Sequence, residues 1–210
     1  MKAKNKIQYL FTFILLILIA NACSKDIEDE FIVDVTEENV TIIQEDSEAL
    51  LFMLEEEKLA RDTYKYLHEK WNLNQFANIK NSEQSHMNAI ENLLKQYKLS
   101  YTILPEGVFN NPELQTLYDT FKIDGTKSVI EALKIGATIE DLDIKDLETY
   151  VSLTKNNTLI KVYQNLICGS RNHLRSFIKS LEKKGGTYTP KFITQDAYNN
   201  ILNSSQEKCN

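Results

Sequence analysis

The sequence predicts an all-α protein in which four long helices form a bundle. Glycine and proline are scarce, with 6 and 3 residues in a chain of 210, and this composition disfavours a turn-rich β architecture. Four long segments carry apolar side chains at the spacing of an α-helix. The connection between the second and third segments is long and contains the signals of a further short helix. The length suits one domain with its own hydrophobic core.

The first two predicted helices are adjacent along the chain. The first runs from about Ser47 to Trp71, and Asp46 or Ser47 is expected to cap it, because either side chain can accept backbone N–H groups of the first turn. The second runs from about Asn74 to Tyr97, with Asn74 as its expected N-cap. The short loop between them predicts that they pack as antiparallel neighbours.

The long connection covers roughly residues 98–127. It contains Asn111-Pro112, an N-cap residue followed by proline, and proline is favoured at the first helical position. We therefore expect a short helix from this point to about Phe121, ended by Asp124-Gly125. This connection would act as a crossover between the two helix pairs.

The second pair of long helices follows the crossover. The third helix is expected from about Lys127 to Tyr150, and the fourth from about Thr158 to Lys184. Gly185-Gly186 is a signal for a helix C-terminus, since glycine readily adopts the left-handed conformation found there. After Pro190 we expect an extended cover and a short final helix.

The N-terminus resembles a bacterial lipoprotein signal peptide. Three lysines stand among the first six residues, and the apolar run Leu10–Ala20 that follows is short for a membrane span. Small residues then lead to Cys23. The resemblance implies that residues 1–22 are removed and that Cys23 is lipidated and anchors the protein to a membrane. An ordinary signal peptide or an uncleaved anchor is the alternative.

Residues 23–46 are interpreted as the lipidated cysteine and an acidic tether. The charged run Ser24–Glu30 resembles the lysine-plus-acid signals with which some Bacteroidetes lipoproteins reach the outer face of the outer membrane. A solvated acidic linker is the alternative. We therefore expect a lipid-anchored protein of the bacterial cell envelope, on the periplasmic or the surface face of the outer membrane. Residues 47–190 would form the helical bundle and residues 191–210 a C-terminal tail.

Charge and cysteine content restrict the partners. The net charge of −6 argues against nucleic-acid binding, which normally requires a basic surface. Cys168 and Cys209 have a spacing that fits no metal-binding motif. An oxidising compartment would permit a disulfide between them, and the alternative is that Cys168 is a small buried apolar residue. A homodimer is compatible with the sequence.

Polar residues interrupt the apolar stripe of each long helix near its middle. They are Glu57 on the first helix, Glu83 and His86 on the second, Glu140 and Asp143 on the third, and Ser170 and His173 on the fourth. Several carboxylates in one interior are costly, because burial and mutual repulsion both disfavour the charged form. One or two divalent cations remove both costs. We therefore predict a metal site with Glu57, Glu83, His86, Glu140 and His173 as ligands.

Two of these helices resemble the metal-binding helices of ferritin-like proteins. Glu57–Tyr64 is similar to the first-helix motif of rubrerythrins and bacterioferritins, and Ser82–Met87 is similar to their second-helix motif. In such bundles, two helices each give a glutamate and the other two each give Glu-x-x-His, in which the spacing places both side chains on one face. The long crossover also agrees with a ferritin-like four-helix bundle.

Over about residues 47–190 the chain resembles one uncharacterised ferritin-like family, the domain of unknown function 2202. The segments that carry this resemblance are Glu55–Asp62, Ala132–Glu140, Asp143–Leu147 and Gly169–Arg175. The resemblance implies a ferritin-like fold but no settled reaction. The metal expected is iron, as two ions, with manganese or a single ion as alternatives.

One position departs from the di-iron pattern. Ser170 stands where a complete Glu-x-x-His motif would have a glutamate before His173. We expect Asp143 to serve as a substitute ligand, in an asymmetric site that binds one ion tightly and a second weakly, or only one.

The leading functional hypothesis is an oxidoreductase that acts on peroxide, or on Fe(II) with dioxygen. No Cys-x-x-Cys donor of the rubredoxin type is present, so a separate electron donor would be needed. The alternatives are a metal-binding lipoprotein without turnover and a structural bundle with a degenerate site. No catalytic residue other than the metal ligands is assigned.

Overall fold

The computed structural model describes residues 42–209, which form six α-helices and no strand. The helices are α1 (Gln44–Trp71), α2 (Asn74–Gln96), α3 (Pro112–Gly125), α4 (Val129–Leu153), α5 (Asn157–Glu182) and α6 (Gln195–Asn203). None of these helices combines the length and the apolar character that crossing a membrane requires. The predicted signal peptide, Cys23 and nearly all of the tether lie outside the described residues.

Helix α1 begins three residues before the predicted start, so neither predicted cap is correct. Its N-cap is Ile43, whose side chain accepts no hydrogen bond, and Asp46 and Ser47 lie inside the helix. The Ser47 hydroxyl donates to the carbonyl of Ile43 at 3.0 Å. Glu45 and Asp46 lie in the first turn, where a negative charge interacts favourably with the helix dipole. Charge in the first turn thus takes the place of a side-chain cap.

The caps of α2 and α3 show one wrong and one correct prediction. Asn74 is the first residue of α2 rather than its cap, which is Leu73, without a side-chain hydrogen bond. Asn111 caps α3 as predicted, and its side-chain oxygen accepts the N–H groups of Glu113 at 2.8 Å and Leu114 at 3.2 Å. The helix continues to Gly125, past the expected end at Phe121.

Helices α4 and α5 have the side-chain caps that α1 and α2 lack. Ser128 accepts the N–H of Glu131 at 3.1 Å at the start of α4, and Asn156 caps α5. Beyond α5, Gly185 adopts a φ of +75° and Gly186 donates to the carbonyl of Leu181 at 3.0 Å. This left-handed turn is the helix end that the Gly-Gly pair predicted.

The four long helices pack as two neighbouring pairs. Helix α1 packs against α2, and α4 packs against α5, while α1 also contacts α4 and α2 contacts α5. The short helix α3 lies on the crossover and packs against both α1 and α4. This arrangement lets the middle of each long helix face a common interior.

Two apolar clusters fill that interior. One contains Leu59 and Tyr64 of α1 together with Phe76 of α2 and Phe177 of α5. The other contains Leu50 and Met53 of α1, Ile90 and Leu94 of α2, Leu147 of α4, and Leu159 and Leu166 of α5. Along α1, α2 and α5, the two clusters are separated in sequence by the polar residues that interrupt each stripe. The buried polar residues therefore lie between two apolar cores.

The C-terminal segment is attached to α4 and α5. The carboxylate of Asp141, which is fully buried, accepts hydrogen bonds from the Tyr188 hydroxyl at 2.7 Å and from the backbone N–H groups of residues 191–193. A disulfide joins Cys168 of α5 to Cys209. Arg171 and Arg175 both form ion pairs with Glu207. The predicted cover and final helix are thus fixed at both ends.

Candidate metal centre

Five of the predicted ligands meet between the two apolar cores. We call Glu57, Glu83, His86, Glu140 and His173 the carboxylate–histidine cluster. Its members lie on all four long helices, and each is at most 9% exposed. Two groups of three have ligand atoms within 4.8 Å of one another, one formed by Glu57, Glu83 and His86 and the other by Glu83, Glu140 and His173. Glu83 belongs to both groups.

The two histidines direct the same ring atom towards carboxylates. Nδ1 of His86 lies 2.9 Å from Oε2 of Glu83 and 3.1 Å from Oε2 of Glu57. Nδ1 of His173 lies 2.9 Å from Oε1 of Glu83 and 3.3 Å from Oε2 of Glu140. The two rings are stacked, with their centroids 5.5 Å apart. Each oxygen of Glu83 thus faces a different histidine.

Several ligand atoms have no hydrogen-bond partner within the described part of the chain. They are Oε1 of Glu57, Oε1 of Glu83 and Nδ1 of His173. The last two atoms are 2.9 Å apart, so they are close enough for an ion pair but are not aligned for a hydrogen bond. Buried polar atoms without partners are costly, since they have lost water and gained nothing in return. A cation among these atoms would satisfy them together.

Burial opposes the ionisation of the two outer glutamates. Burial raises the pKa of Glu57 to about 7, although His86 beside it acts in the opposite direction. Burial, supported by the charge of Glu83, likewise raises the pKa of Glu140 to about 7. A metal ion would have to displace protons from both groups at lower pH, because only deprotonated carboxylates act as strong ligands.

In the central part of the cluster, neighbouring charges favour the ionised form of Glu83 and the protonated forms of His86 and His173. Burial by itself would raise the pKa of Glu83, but His173 and His86 hold it well below its ordinary value. Burial would lower the pKa of His173, but Glu83 and Glu140 raise it to about 10. The pKa of His86 is also raised, by Glu57 and Glu83 against the effect of burial. Without a metal, protonated histidines therefore supply the positive charge.

Residues around the cluster hold the ligands in place. The Tyr64 hydroxyl donates to Oε1 of Glu140 at 2.5 Å, and Nε2 of His173 lies 3.0 Å from the hydroxyl of Ser82. Gly169 leaves space for the other ring: a Cβ there would be 2.6 Å from Nε2 of His86. Such contacts fix which side of an imidazole faces a metal.

The predicted substitute ligand lies beside the cluster. Asp143 is buried and accepts a hydrogen bond from the Ser170 hydroxyl, while its Oδ1 has no partner among the described residues. It belongs to neither group of three ligands. Ser170 therefore binds the carboxylate that was expected to replace the missing glutamate, and a ligand role for Asp143 stays a prediction.

Two features near the site were missed by the sequence analysis. Glu56 is only 2% exposed, although it lies outside the apolar stripe and was not among the predicted site residues. Lys58 is equally buried and donates to Asp62 at 2.7 Å and to the carbonyls of Pro105 and Val108, each at 3.0 Å. Both lie outside the apolar stripe of α1, and their burial depends on the neighbouring elements.

Comparisons with known proteins agree over the helical region. The family model described as "Uncharacterized protein domain (DUF2202)" matches residues 46–205. The uncharacterized protein MJ0754 of Methanocaldococcus jannaschii is 47% identical over 169 residues, which are 80% of this chain and 91% of that protein. The crystal structure of the hypothetical protein MJ0754 from Methanococcus jannaschii is similar with a TM-score of 0.78, over 79% of this chain and 96% of that one.

Proposed function

We propose, on the premise that this chain belongs to the family of uncharacterized DUF2202 domains, that it is a lipid-anchored, ferritin-like metalloprotein of the bacterial cell envelope. The carboxylate–histidine cluster would bind two divalent metal ions, with iron as the expected metal and manganese or a single ion as the alternatives. The proposed activity is an oxidoreductase reaction with peroxide, or with Fe(II) and dioxygen.

The observation that carries this proposal is the sharing of Glu83 by two groups of ligands. Each group offers one imidazole nitrogen and two carboxylates, a donor set that suits iron or manganese. Three of these ligands, Glu57, Glu83 and His173, each have a buried atom without a hydrogen-bond partner among the described residues. Bound cations would neutralise the three carboxylates and remove the need for protonated histidines.

The packing of the helices supports the ferritin-like bundle that we propose. Helices α1 and α2 form one neighbouring pair and α4 and α5 the other, and the crossover with α3 joins the pairs. A bundle with one long crossover and glutamate and histidine ligands on facing helices is the ferritin-like arrangement.

The surrounding residues would keep the ligands oriented and bulk water out. Tyr64 holds Glu140 through its hydroxyl, Ser82 lies within hydrogen-bonding distance of Nε2 of His173, and Gly169 leaves room for the ring of His86. Apolar cores on both sides of the cluster limit access of solvent. A bound iron pair would supply the redox chemistry, and the electrons would come from a separate donor.

One observation favours a second candidate, a metal-binding lipoprotein without turnover or a bundle with a degenerate site. Ser170 stands where a complete Glu-x-x-His motif has a carboxylate ligand, and its hydroxyl donates to Asp143. The loss of one carboxylate lowers the charge available to hold a second ion. A site with one firmly bound ion would bind metal without the two-metal chemistry.

Loading the purified full-length protein with Fe(II) under anaerobic conditions separates these functions. We expect about two bound ions per chain by elemental analysis, and a rapid near-ultraviolet absorbance change after peroxide or dioxygen is added. Glu83→Gln should abolish both results, because it removes the ligand that both groups share. Glu91→Gln, a change on the far part of α2, is the matched control and should behave like the wild type.

Two other outcomes would each support one of the alternative functions. Binding of Fe(II) without oxidation would support the metal-binding lipoprotein. No binding by the wild type would reject the metal site itself and leave a structural role.

A further inference from the structure

One face of α5 is held by the C-terminal residues 204–209, which we call the clasp. The side chains of α5 that contact the clasp are Cys168, Arg171, Asn172 and Arg175. Their spacing of three and four residues places them in one row along the helix. Cys168 is joined to Cys209 by the disulfide. The clasp therefore lies on α5 beside Gly169 and His173, which are buried on the adjoining face of the helix.

The polar contacts of the clasp centre on Glu207. Its carboxylate accepts hydrogen bonds from Nε of Arg171 and from Arg175, each at 2.8 Å. Its backbone N–H donates to Oδ1 of Asn172 at 2.9 Å, and its carbonyl accepts from Nδ2 of Asn172 at 3.0 Å. The side chains of Arg171 and Glu207 are 28% and 29% exposed, and ion pairs in contact with water contribute little by themselves. The covalent bridge keeps Glu207 at a high effective concentration beside its partners.

The segment of α5 under the clasp also positions both histidines of the carboxylate–histidine cluster. Gly169 directly follows Cys168, and the space where its side chain would be is filled by the ring of His86, since a Cβ there would be 2.6 Å from Nε2. His173 directly follows Asn172, and its Nδ1 lies 2.9 Å from Glu83. A shift of α5 at Cys168 or Asn172 would therefore move a ligand and the surface against which the other imidazole rests.

The two sulfur atoms of the bridge differ in accessibility. Cys209 is exposed, whereas Cys168 is only 8% exposed. A thiolate of an external dithiol can therefore attack Sγ of Cys209, which breaks the S–S bond and releases Cys168 as a thiolate that takes up a proton. The second thiol of the dithiol then attacks the mixed disulfide and releases Cys209 as a thiol. The dithiol leaves as its own disulfide, after a transfer of two electrons and two protons.

The opening of the bridge would free the clasp and leave α6 in place. Helix α6 ends at Asn203, before the clasp, and its Tyr198 and Ile201 are buried. Nε of Arg175 donates to the carbonyl of Ile201 at 2.8 Å, a contact that does not depend on the clasp. The open state is thus confined to residues 204–209.

We propose that the Cys168–Cys209 disulfide is a redox switch for metal retention: an external dithiol opens the bridge, the clasp leaves α5, and the carboxylate–histidine cluster then releases its metal faster. This inference rests on the proposed function, because it needs a bound metal. The closed and open clasp are the two states that the thiol–disulfide change selects.

Release of Co²⁺ from the full-length protein tests the switch. The metal-free protein is used oxidised, or reduced with dithiothreitol that is then removed, and each form is loaded with Co²⁺ without oxygen. Excess EDTA is added, and the loss of Co²⁺ absorbance gives the release rate. Cys209→Ser is the permanently open variant, and Lys208→Gln, a change at the exposed neighbouring position, is the matched control.

We expect the reduced wild type and Cys209→Ser to release Co²⁺ about tenfold faster than the oxidised wild type, because contacts behind the ligands are lost. Treatment with dithiothreitol should leave the release rate of Cys209→Ser unchanged. Lys208→Gln should match the wild type in both redox states. A reductant effect of equal size in Cys209→Ser would overturn the switch, since that variant has no bridge to open.

Hydrogen–deuterium exchange of the metal-free protein tests the clasp separately. The N–H of Glu207, which is bonded to Asn172 in the closed state, should exchange at least about tenfold faster after reduction. Unchanged exchange would overturn the release of the clasp. Faster exchange with equal Co²⁺ release would overturn its control over the metal, and either result would leave the proposed function intact. A wild type that binds no Co²⁺ would overturn both.

Discussion

At the scale of single residues, Glu83 organises the candidate site. Its two oxygens face different histidines, and its charge raises the pKa of His173 and opposes the ionisation of Glu140. The Glu-x-x-His spacing predicted that Glu83 and His86 share a face of α2. That Glu83 would also be shared with α4 and α5 depends on distances between helices, which a single periodic pattern does not contain.

Gly169→Ala should weaken metal binding more than it weakens the fold. The added methyl would lie 2.6 Å from Nε2 of His86, so the imidazole must leave the position in which its Nδ1 faces Glu57 and Glu83. We expect metal affinity to fall about tenfold, in line with other losses of contacts behind a ligand. Metal content after dialysis measures the effect, with the exposed Lys179→Ala on the same helix as control. Full metal content in Gly169→Ala would contradict the assigned position of His86.

The metal-free protein should become less stable as pH rises from about 5 to 9. The pKa of Glu57 and of Glu140 is about 7 in the folded chain against an ordinary 4.5, and that of His173 is about 10 against 6.5. The folded state therefore holds more protons than the unfolded state across this range. The stabilisation that these three groups contribute is complete below their ordinary pKa values and is lost as pH rises through each folded-state pKa. Each such proton is worth about 1.4 kcal/mol per pH unit.

Thermal unfolding at several pH values checks this sign. A Tm that falls towards high pH in the metal-free protein, and changes much less after metal is added, is the expected result. A Tm that rises with pH would show that the cluster does not retain protons.

At the scale of the element, α1 shows which buried side chains an apolar stripe predicts and which it does not. Glu57 was chosen because it interrupts an apolar stripe, and it lies in the interior. Its neighbours Glu56 and Lys58 point in other directions, yet both are buried, because α4 covers one and the crossover covers the other. Successive residues on a helix differ by about 100° in direction. Which of these directions is covered is decided by the packing partners.

Helix α4 carries a further structural carboxylate next to a candidate ligand. Asp141 follows Glu140 and accepts four hydrogen bonds from the segment between α5 and α6. We expect Asp141→Ala to lower the free energy of unfolding by about 3 kcal/mol, because four donors, one of them on a buried residue, lose a charged acceptor.

Urea denaturation measures the effect of Asp141→Ala, with the exposed Glu148→Ala on the same helix as control. Limited proteolysis should show new cleavage around residues 188–193. Unchanged stability would mean that this segment is fixed without Asp141.

At the scale of the whole molecule, the C-terminal segment is part of the fold rather than a free tail. A disulfide joins Cys168 to Cys209 across 41 residues, and Glu207 binds Arg171 and Arg175 beside it. The sequence left open whether these cysteines pair, because spacing along the chain does not give distance in space. Cys168 precedes Gly169, so the bridge also lies near the proposed metal site.

Cys209→Ser should destabilise the protein by about 2–4 kcal/mol, the usual effect of removing a bridge that closes a loop of this length. Differential scanning calorimetry of the variant and of the wild type with and without reductant provides the comparison. Reduction should bring the wild type to the Tm of the variant and leave the variant unchanged. A reductant effect of equal size in Cys209→Ser would show that it does not act through this bridge.

The sequence by itself determined the all-helical class, the extent of the long helices to within a few residues, and the five side chains of the carboxylate–histidine cluster. These properties are local, because periodicity, helix-ending glycines and polar residues within an apolar stripe are all patterns of residues close together in the sequence. Only the tertiary structure decided the shared position of Glu83, the burial of Glu56 and Lys58, the bond between Ser170 and Asp143, and the disulfide. Each of these depends on distances between segments far apart in the chain, which follow from how all the helices pack together.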